Sequence, residues 1–84
     1  MDITFTESAY GDYLWWKKND PKKVMRIKKL CEDIERAPFE GIGKPEPLKF
    51  GLQGCWSRRI DQTNRLVYSV EKKKITILSC RYHY

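Results

Sequence analysis

The fold is decided by residues 56–82, which read WSRRIDQTNRLVYSVEKKKITILSCRY. Apolar and polar side chains alternate along this stretch, and polar runs at 62–64 and 71–73 interrupt the alternation. A period of two is typical of half-buried strands, and short polar runs between strands are typical of hairpin turns. We therefore predict a meander of three antiparallel strands at 56–61, 65–70 and 75–82, with Asn64 at positive φ in the first turn.

The same alternation assigns side chains to the two faces of the sheet. Leu66, Tyr68 and Val70 form an apolar face, which leaves Arg65 on the opposite face. Alternation is expected to fail near the chain end, where Tyr84 is free to turn. In the last strand, one face is predicted to carry Ile75, Ile77, Ser79, Arg81 and His83, and the other Leu78, Cys80, Tyr82 and Tyr84.

Upstream of the meander, apolar residues follow a helical period instead. A short strand is predicted at 3–5, after which the Thr6 hydroxyl caps a helix that ends near Asn19. The buried stripe of this helix is predicted to consist of Tyr10, Tyr13 and Leu14, which lie at i, i+3 and i+4.

A second helix is predicted to follow directly. Asp20 suits its N-cap, Pro21 its first position, and Pro38 ends it. Three prolines and two glycines make 38–47 a loop, and a short strand is expected at 48–52. The apolar stripe of the second helix is predicted to contain Val24, Ile27, Leu30, Cys31 and Ile34.

The predicted element order is therefore β-α-α-β-β-β-β. This order describes an α+β fold in which a two-helix hairpin packs on a mostly antiparallel sheet. With 84 residues the chain has room for one hydrophobic core, so residues 1–84 are expected to form a single domain.

Composition excludes several classes of protein. No apolar run approaches the roughly 20 residues that span a bilayer, and acidic residues interrupt any signal-like start, so a cytoplasmic protein without membrane contact is expected. The three cysteines are widely spaced, and the chain has one histidine. We therefore expect free buried thiols, no metal and no cofactor.

The formal net charge of +6 indicates either a solubilising surface or a polyanionic partner. Charge alone does not separate nucleic acid from an acidic protein as that partner. A DNA-binding regulator fits the charge, but the chain lacks a convincing recognition helix.

The chain end holds the groups with the most chemistry. His83 can exchange a proton near neutral pH, and Tyr82 and Tyr84 can stack on RNA bases. Arg81 adds a group that binds phosphate. The alternative is an ordinary surface histidine between packing aromatics.

Glu46 lies between Pro45 and Pro47, so it is either a preorganised general base or an exposed carboxylate in a rigid loop. Arg65 can hold two phosphate oxygens at once. Arg58 and Arg59 point to opposite faces of their strand, and either is otherwise a surface cation whose stem covers an aromatic ring. One carboxylate, one imidazole and two arginines are the groups needed for metal-free phosphodiester cleavage.

Five blocks of sequence, in this order, resemble the YoeB-type toxins of the RelE superfamily over essentially the whole chain. The blocks are 38–41 (PFEG), 43–49 (GKPEPLK), 56–60 (WSRRI), 65–68 (RLVY) and 80–84 (CRYHY).

The resemblance implies a microbial-ribonuclease-like fold and a ribosome-dependent endonuclease that cuts mRNA in the A site. It implies Glu46 as general base, His83 as general acid, Arg65 as the group that binds the scissile phosphate, and Tyr84 as a substrate-positioning residue. It adds RNA-binding roles for Lys49 and Arg59. Arg81 and Tyr82 are predicted to bind RNA from the chemistry of the chain end. One departure is Asn64, because many relatives carry histidine there.

The resemblance also implies the partners. These are the bacterial ribosome with its mRNA, and a YefM-like antitoxin that is acidic and partly disordered. Operator DNA is expected only indirectly, through the antitoxin complex, and a homodimer is possible. The competing hypothesis is a non-catalytic module that binds the ribosome or the antitoxin and blocks translation without cleavage.

Overall fold

The computed structural model describes residues 2–49 and 54–82. The elements follow the predicted order, which confirms the α+β class. They are β1 (Asp2–Phe5), α1 (Glu7–Asn19), α2 (Pro21–Arg36), β2 (Glu46–Pro47), β3 (Cys55–Arg59), β4 (Arg65–Glu71) and β5 (Lys74–Ser79).

The five strands form one mixed sheet in the order β1-β5-β4-β3-β2. β1 runs parallel to β5, with Ile3 opposite Ile75, and every other pairing is antiparallel. The mostly antiparallel sheet is therefore confirmed. A parallel neighbour requires a long crossover, and the two helices supply it between β1 and the meander.

Helix α1 begins as predicted, because the Thr6 hydroxyl accepts a 3.1 Å hydrogen bond from the backbone N–H of Ala9. Its predicted stripe is wrong in part. Tyr10 and Leu14 are exposed and Tyr13 is only partly buried, whereas Ala9 and Trp16 are buried. The helix therefore faces the core with Ala9, Tyr13 and Trp16.

One residue, Asp20, separates the helices; it occupies the N-cap position of α2 but makes no capping bond with its side chain. The predicted stripe of α2 is confirmed, since Val24, Ile27, Leu30 and Ile34 are buried and Cys31 packs against them. These residues share the core with Leu66, Tyr68, Ile75, Ile77 and Cys80 from the sheet.

A bulge interrupts the pairing of β4 with β5. Val67 lies opposite Ser79 and Tyr68 opposite Ile77, so Leu78 is the extra residue. An extra residue reverses the alternation that follows it, which brings Cys80 into the core with Ile77. The predicted face shared by Ile75, Ile77, Ser79 and Arg81 is therefore wrong beyond Ile77, and β5 ends at Ser79 rather than at residue 82.

The short strand after the loop is displaced from its predicted place at 48–52. β2 consists of Glu46 and Pro47, opposite Ser57 and Trp56, and Leu48 continues the contact through a 2.9 Å bond from its N–H to the Cys55 carbonyl. The loop therefore ends before Glu46, and residues 50–52 lie outside the described ranges. Proline is tolerated here because β2 is the edge strand.

The first hairpin turn differs from its prediction. β3 ends at Arg59 instead of residue 61, and Asn64 does not adopt a positive φ. Asp61 forms the turn, because its Oδ1 accepts hydrogen bonds from the N–H groups of Thr63 (2.8 Å) and Asn64 (2.6 Å). In the second turn the left-handed residue is Lys72, at φ 57°.

Neither helix is long and apolar enough to cross a bilayer.

Candidate functional site

The helix-free face of the sheet carries the charged residues that the sequence singles out. Glu46 lies opposite Ser57, and Arg59 lies opposite Arg65, so the side chains of each pair project from the same face. Their neighbours along each strand, such as Trp56 and Leu66, pack into the core. We call the four residues Glu46, Ser57, Arg59 and Arg65 the open-face cluster.

Glu46 and Arg65 are in contact within this cluster. Arg65 Nη1 donates to Glu46 Oε1 at 3.3 Å, and the two side chains are 24% and 60% exposed respectively. A pair this exposed adds little to the stability of the fold. The pair matters for the position of the side chains instead. The Glu46 carboxylate offsets the repulsion between Arg65 and the facing Arg59, so the two guanidinium groups can lie side by side.

Two backbone bonds hold the strand that presents Glu46. The N–H of Arg59 donates to the Gly43 carbonyl at 2.7 Å, and the N–H of Leu48 donates to the Cys55 carbonyl at 2.9 Å. Glu46 lies between these two attachments. Prolines on both sides restrict its backbone further, so the carboxylate starts from a well-defined position.

Arg58, the neighbour of the open-face cluster in β3, is fully buried. The interpretation of Arg58 as a surface cation is therefore wrong. Arg58 holds the loop between α2 and β2 in place, because every N–H group of its guanidinium donates a hydrogen bond. The guanidinium donates to Tyr68 Oη (3.1 Å), Asp33 Oδ2 (2.6 Å) and the carbonyls of Ile42 (3.2 Å), Ala37 (2.6 Å) and Glu40 (3.0 Å).

Asp33 completes this attachment. Hydrogen bonds from the Arg36 side chain, the Ile42 N–H and Arg58 hold the pKa of its carboxyl well below the usual range. The carboxylate thus stays charged and keeps the buried guanidinium neutralised. Gly41 permits the approach, because a Cβ there would collide with the Asp33 carboxylate. Sequence patterns place Asp33 on the outside of its helix, so they do not reveal this contact.

Ser57 is a second residue that sequence analysis missed. It is fully buried between Glu46 and Val67, and its hydroxyl has no hydrogen-bond partner within the described ranges. Neither its small size nor its neighbours in the stretch 56–60 indicated a role for Ser57. A buried hydroxyl without a hydrogen-bond partner lowers the stability of the fold. Ser57 is therefore an exception among the buried residues of the sheet.

The remaining predicted RNA-binding residues lie outside the open-face cluster. Lys49 is exposed just after β2. Arg81 stacks its guanidinium on the Trp15 ring of α1, 3.7 Å from the ring centroid, and also lies over the ring of Tyr82. Tyr82 is 62% exposed. Arg81 thus joins the chain end to α1 as well as adding charge.

His83 and Tyr84, predicted as general acid and substrate-positioning residue, lie outside the described residues. Through residues 2–49 and 54–82, no group of three or more His, Cys, Asp or Glu side chains is placed to hold a metal ion. The three cysteines are free, but only Cys80 is buried, so the prediction of buried thiols is wrong for Cys31 and Cys55, which are partly exposed. Burial raises the pKa of the Cys80 thiol to about 12, with smaller contributions from Asp12 and Cys31.

Fold and site together define a small α+β domain with a carboxylate–arginine pair on the open face of its sheet. The family model described as "YoeB-like toxin of bacterial type II toxin-antitoxin system" matches residues 5–84. The chain belongs to this family.

Individual relatives agree over the full length. A toxin YoeB from Synechocystis is 54% identical over 84 residues, which cover 100% of this chain and 98% of the relative. The structure of a YoeB dimer from Staphylococcus aureus is 48% identical with a TM-score of 0.93, and a YoeB–YefM complex from the same organism is 47% identical with a TM-score of 0.90. Each alignment covers 100% of this chain and 98% of the solved chain.

Proposed function

We propose that this toxin is a ribosome-dependent endonuclease that cuts translated mRNA in the A site without a metal ion. The observation that carries the proposal is the Glu46 carboxylate held 3.3 Å from the Arg65 guanidinium on the open face of the sheet. A base beside a phosphate-binding cation is the arrangement that attack by a ribose 2′-hydroxyl requires. Residues 1–84 act as a single domain in this proposal.

The reaction assigns one role to each principal residue. Glu46 takes the proton of the 2′-hydroxyl, and O2′ then forms a bond to phosphorus while the bond from phosphorus to O5′ breaks. His83 gives its proton to the leaving O5′. Arg65 stabilises the extra negative charge on the phosphorane, and Tyr84 orients the substrate. The products are a 2′,3′-cyclic phosphate and a free 5′-hydroxyl.

The residues around the open-face cluster bind the rest of the message. Lys49 and Arg59 are exposed cations that contact phosphates, and Tyr82 offers an exposed ring for stacking. Arg81 adds charge beside that ring. The net charge of +6 favours approach to ribosomal and messenger RNA.

The second partner in this proposal is an antitoxin, as YefM is bound to YoeB in the S. aureus complex, and we expect the antitoxin of this chain to be acidic and partly disordered. Its charge is complementary to that of the toxin, and it folds over the open face so that it blocks His83 and Tyr84. Operator DNA is reached only through that complex. The S. aureus YoeB dimer supports a homodimer of the free toxin. Action on the bacterial ribosome implies a cytoplasmic protein in this proposal.

The test is cleavage of a message on programmed ribosomes with EDTA-treated toxin. Glu46→Gln and His83→Gln are each expected to lower the single-turnover rate about 10²–10⁴-fold, because each removes a proton-transfer group. Glu40→Gln is the matched control, since Glu40 is an exposed acid of the preceding loop whose carbonyl, not its side chain, contacts Arg58. It is expected to cut at the wild-type rate.

Two results would contradict the proposal. Wild-type cleavage by His83→Gln would remove the general-acid role. Stalled ribosomes that carry an intact message would instead establish the toxin as a non-catalytic blocker of translation.

A further inference from the structure

The last described residues are attached to the body of the protein at two successive points. The first is Cys80, whose N–H donates to Asp12 Oδ2 at 3.1 Å and whose carbonyl accepts a 2.7 Å bond from Trp16 Nε1. Both partners belong to α1. These two bonds to α1 therefore fix the path of the chain where it leaves β5.

The second point is Tyr82, whose backbone is bonded to Asn64 in the turn between β3 and β4 and to Arg65 at the start of β4. Its N–H donates to the Asn64 side-chain Oδ1 at 2.7 Å, and its carbonyl accepts a 2.8 Å bond from the N–H of Arg65. Tyr82 has φ 67°, in the left-handed region that a tyrosine rarely occupies. Such a conformation persists only where its surroundings impose it, and these two bonds do so.

Asn64 can make this bond because its own amide is held in one orientation. Its Nδ2 donates to both carboxylate oxygens of Asp61, at 3.2 Å each. The amide nitrogen of Asn64 can only donate hydrogen bonds. Because Asp61 holds that nitrogen, the amide oxygen of Asn64 points toward Tyr82. Lys23 of α2 holds the carboxylate in turn, with Nζ 3.0 Å from Asp61 Oδ2.

We propose that Asn64 is a positioning residue for the catalytic chain end. It fixes the backbone of Tyr82, the residue directly before His83, in register with the backbone of Arg65. The carbonyl bonded to Arg65 belongs to the peptide unit that joins Tyr82 to His83. Tyr82 and the phosphate-binding Arg65 are thereby held together by these bonds. This inference rests on the proposed function for its catalytic consequence.

The anchor is tested in the free toxin, without RNA, by amide hydrogen exchange of Tyr82. Asn64→Ala is expected to speed exchange of the Tyr82 N–H about tenfold, because one hydrogen bond is lost. Thr63→Ala is the matched control, since Thr63 is exposed in the same turn and only its backbone N–H contacts Asp61. It is expected to leave Tyr82 exchange unchanged.

The positioning role is tested by cleavage kinetics with programmed ribosomes in excess over the toxin. Asn64→Ala is expected to lower kcat about 10–100-fold with KM unchanged, since the acid is misplaced while the phosphate contacts persist. A message with a bridging 5′-sulfur at the cleavage site has a leaving group that needs no protonation. Cleavage of this message is expected to proceed at nearly equal rates in the wild type and Asn64→Ala, which a general loss of structure would not produce.

A swapped pair provides a second variant. Asn64→Asp alone places two carboxylates together and should behave like Asn64→Ala. Adding Asp61→Asn restores a complementary pair, with an acceptor facing Tyr82, and should recover both amide protection and most of the rate.

Equal exchange of the Tyr82 N–H in the wild type and Asn64→Ala would overturn the anchor. Normal kcat in Asn64→Ala despite faster exchange would overturn the positioning role. An inactive wild-type toxin is a different result, since it would refute the proposed function while the exchange measurement still decides whether the anchor exists.

Discussion

Charged residues of this chain act according to what faces them rather than to their position in a sequence pattern. Arg58 and Arg59 are neighbours, yet the first is fully buried and the second is exposed. Alternation along β3 sends one to each face, but only the loop carbonyls and Asp33 make the buried position tolerable. A lysine at residue 58 would lack the fork that reaches all of these acceptors.

Asp61 leads to a prediction on pH. Burial alone would raise the pKa of its carboxyl, but hydrogen bonds from Asn64, Lys23 and Thr63 outweigh burial and lower the pKa to about 2. A folded-state pKa below the ordinary 3.8 stabilises the fold above that value, and the contribution is lost as pH falls toward about 2. The wild type should therefore exceed Asp61→Asn in free energy of unfolding near neutral pH, with the gap closing near pH 2.

Urea unfolding of both proteins across this range measures the gap. Thr63→Ala serves as the control, with an offset from the wild type that does not vary with pH. A gap for Asp61→Asn that is as large near pH 2 as at neutral pH would contradict the assignment of its pKa.

Among the elements, the short strand β2 depends most on its surroundings. It has two residues, and its position follows from the turn before it, where the Gly43 carbonyl accepts from Arg59. Gly43 has φ 81°, and a Cβ there would lie 2.8 Å from Leu30 Cδ2 and 3.1 Å from Arg58 Cβ. Sequence rules recognise the glycine as a loop residue but not the helix and strand that close around it.

Gly43→Ala is accordingly expected to lower the free energy of unfolding by about 1–3 kcal/mol, through backbone strain and the contact with Leu30. The matched control is Gly11→Ala in α1, where an added Cβ meets nothing within 4 Å. That change should raise stability by about 0.5–1 kcal/mol, because alanine favours a helix over glycine. Thermal or urea unfolding of the two variants gives the comparison, and equal stabilities would refute the close packing at Gly43.

The bulge at Leu78 likewise depends on tertiary structure, because it exists only in the pairing of β5 with β4. Strict alternation places Cys80 away from Ile77, whereas the extra residue returns both to the core. The bulge therefore sets the direction in which the chain end leaves β5 and reaches α1.

For the molecule as a whole, Cys80 reports on global opening. Its side chain is fully buried, its thiol donates to the Ala9 carbonyl, and its pKa is raised to about 12, so little reactive thiolate exists near neutral pH. We expect iodoacetamide to modify Cys80 only as fast as the protein unfolds, with the same urea dependence as global unfolding. Cys55, which is partly buried in a sheet strand, is the internal comparison and should react first.

Mass spectrometry of the alkylated peptides measures both rates. Modification of Cys80 that does not respond to urea below the unfolding transition would mean that the chain end opens locally, separately from the core.

The sequence by itself determined the order and type of the elements, because periodicity, prolines and the Thr6 cap act over a few residues. It also named Glu46 and Arg65 as separate candidate site residues, through their chemistry and the resemblance. The 3.3 Å contact between their side chains comes from the structure, and their catalytic roles stay a prediction.

Tertiary structure alone decided the burial of Arg58, the bulge at Leu78, the displaced edge strand and the bond from Tyr82 to Asn64. Each depends on residues distant in sequence meeting at one place: Arg58 bonds Asp33 across 25 positions, and Tyr82 bonds Asn64 across 18. Local propensity carries no information about such meetings, because the packed core brings these groups together and then makes any unpaired polar atom costly.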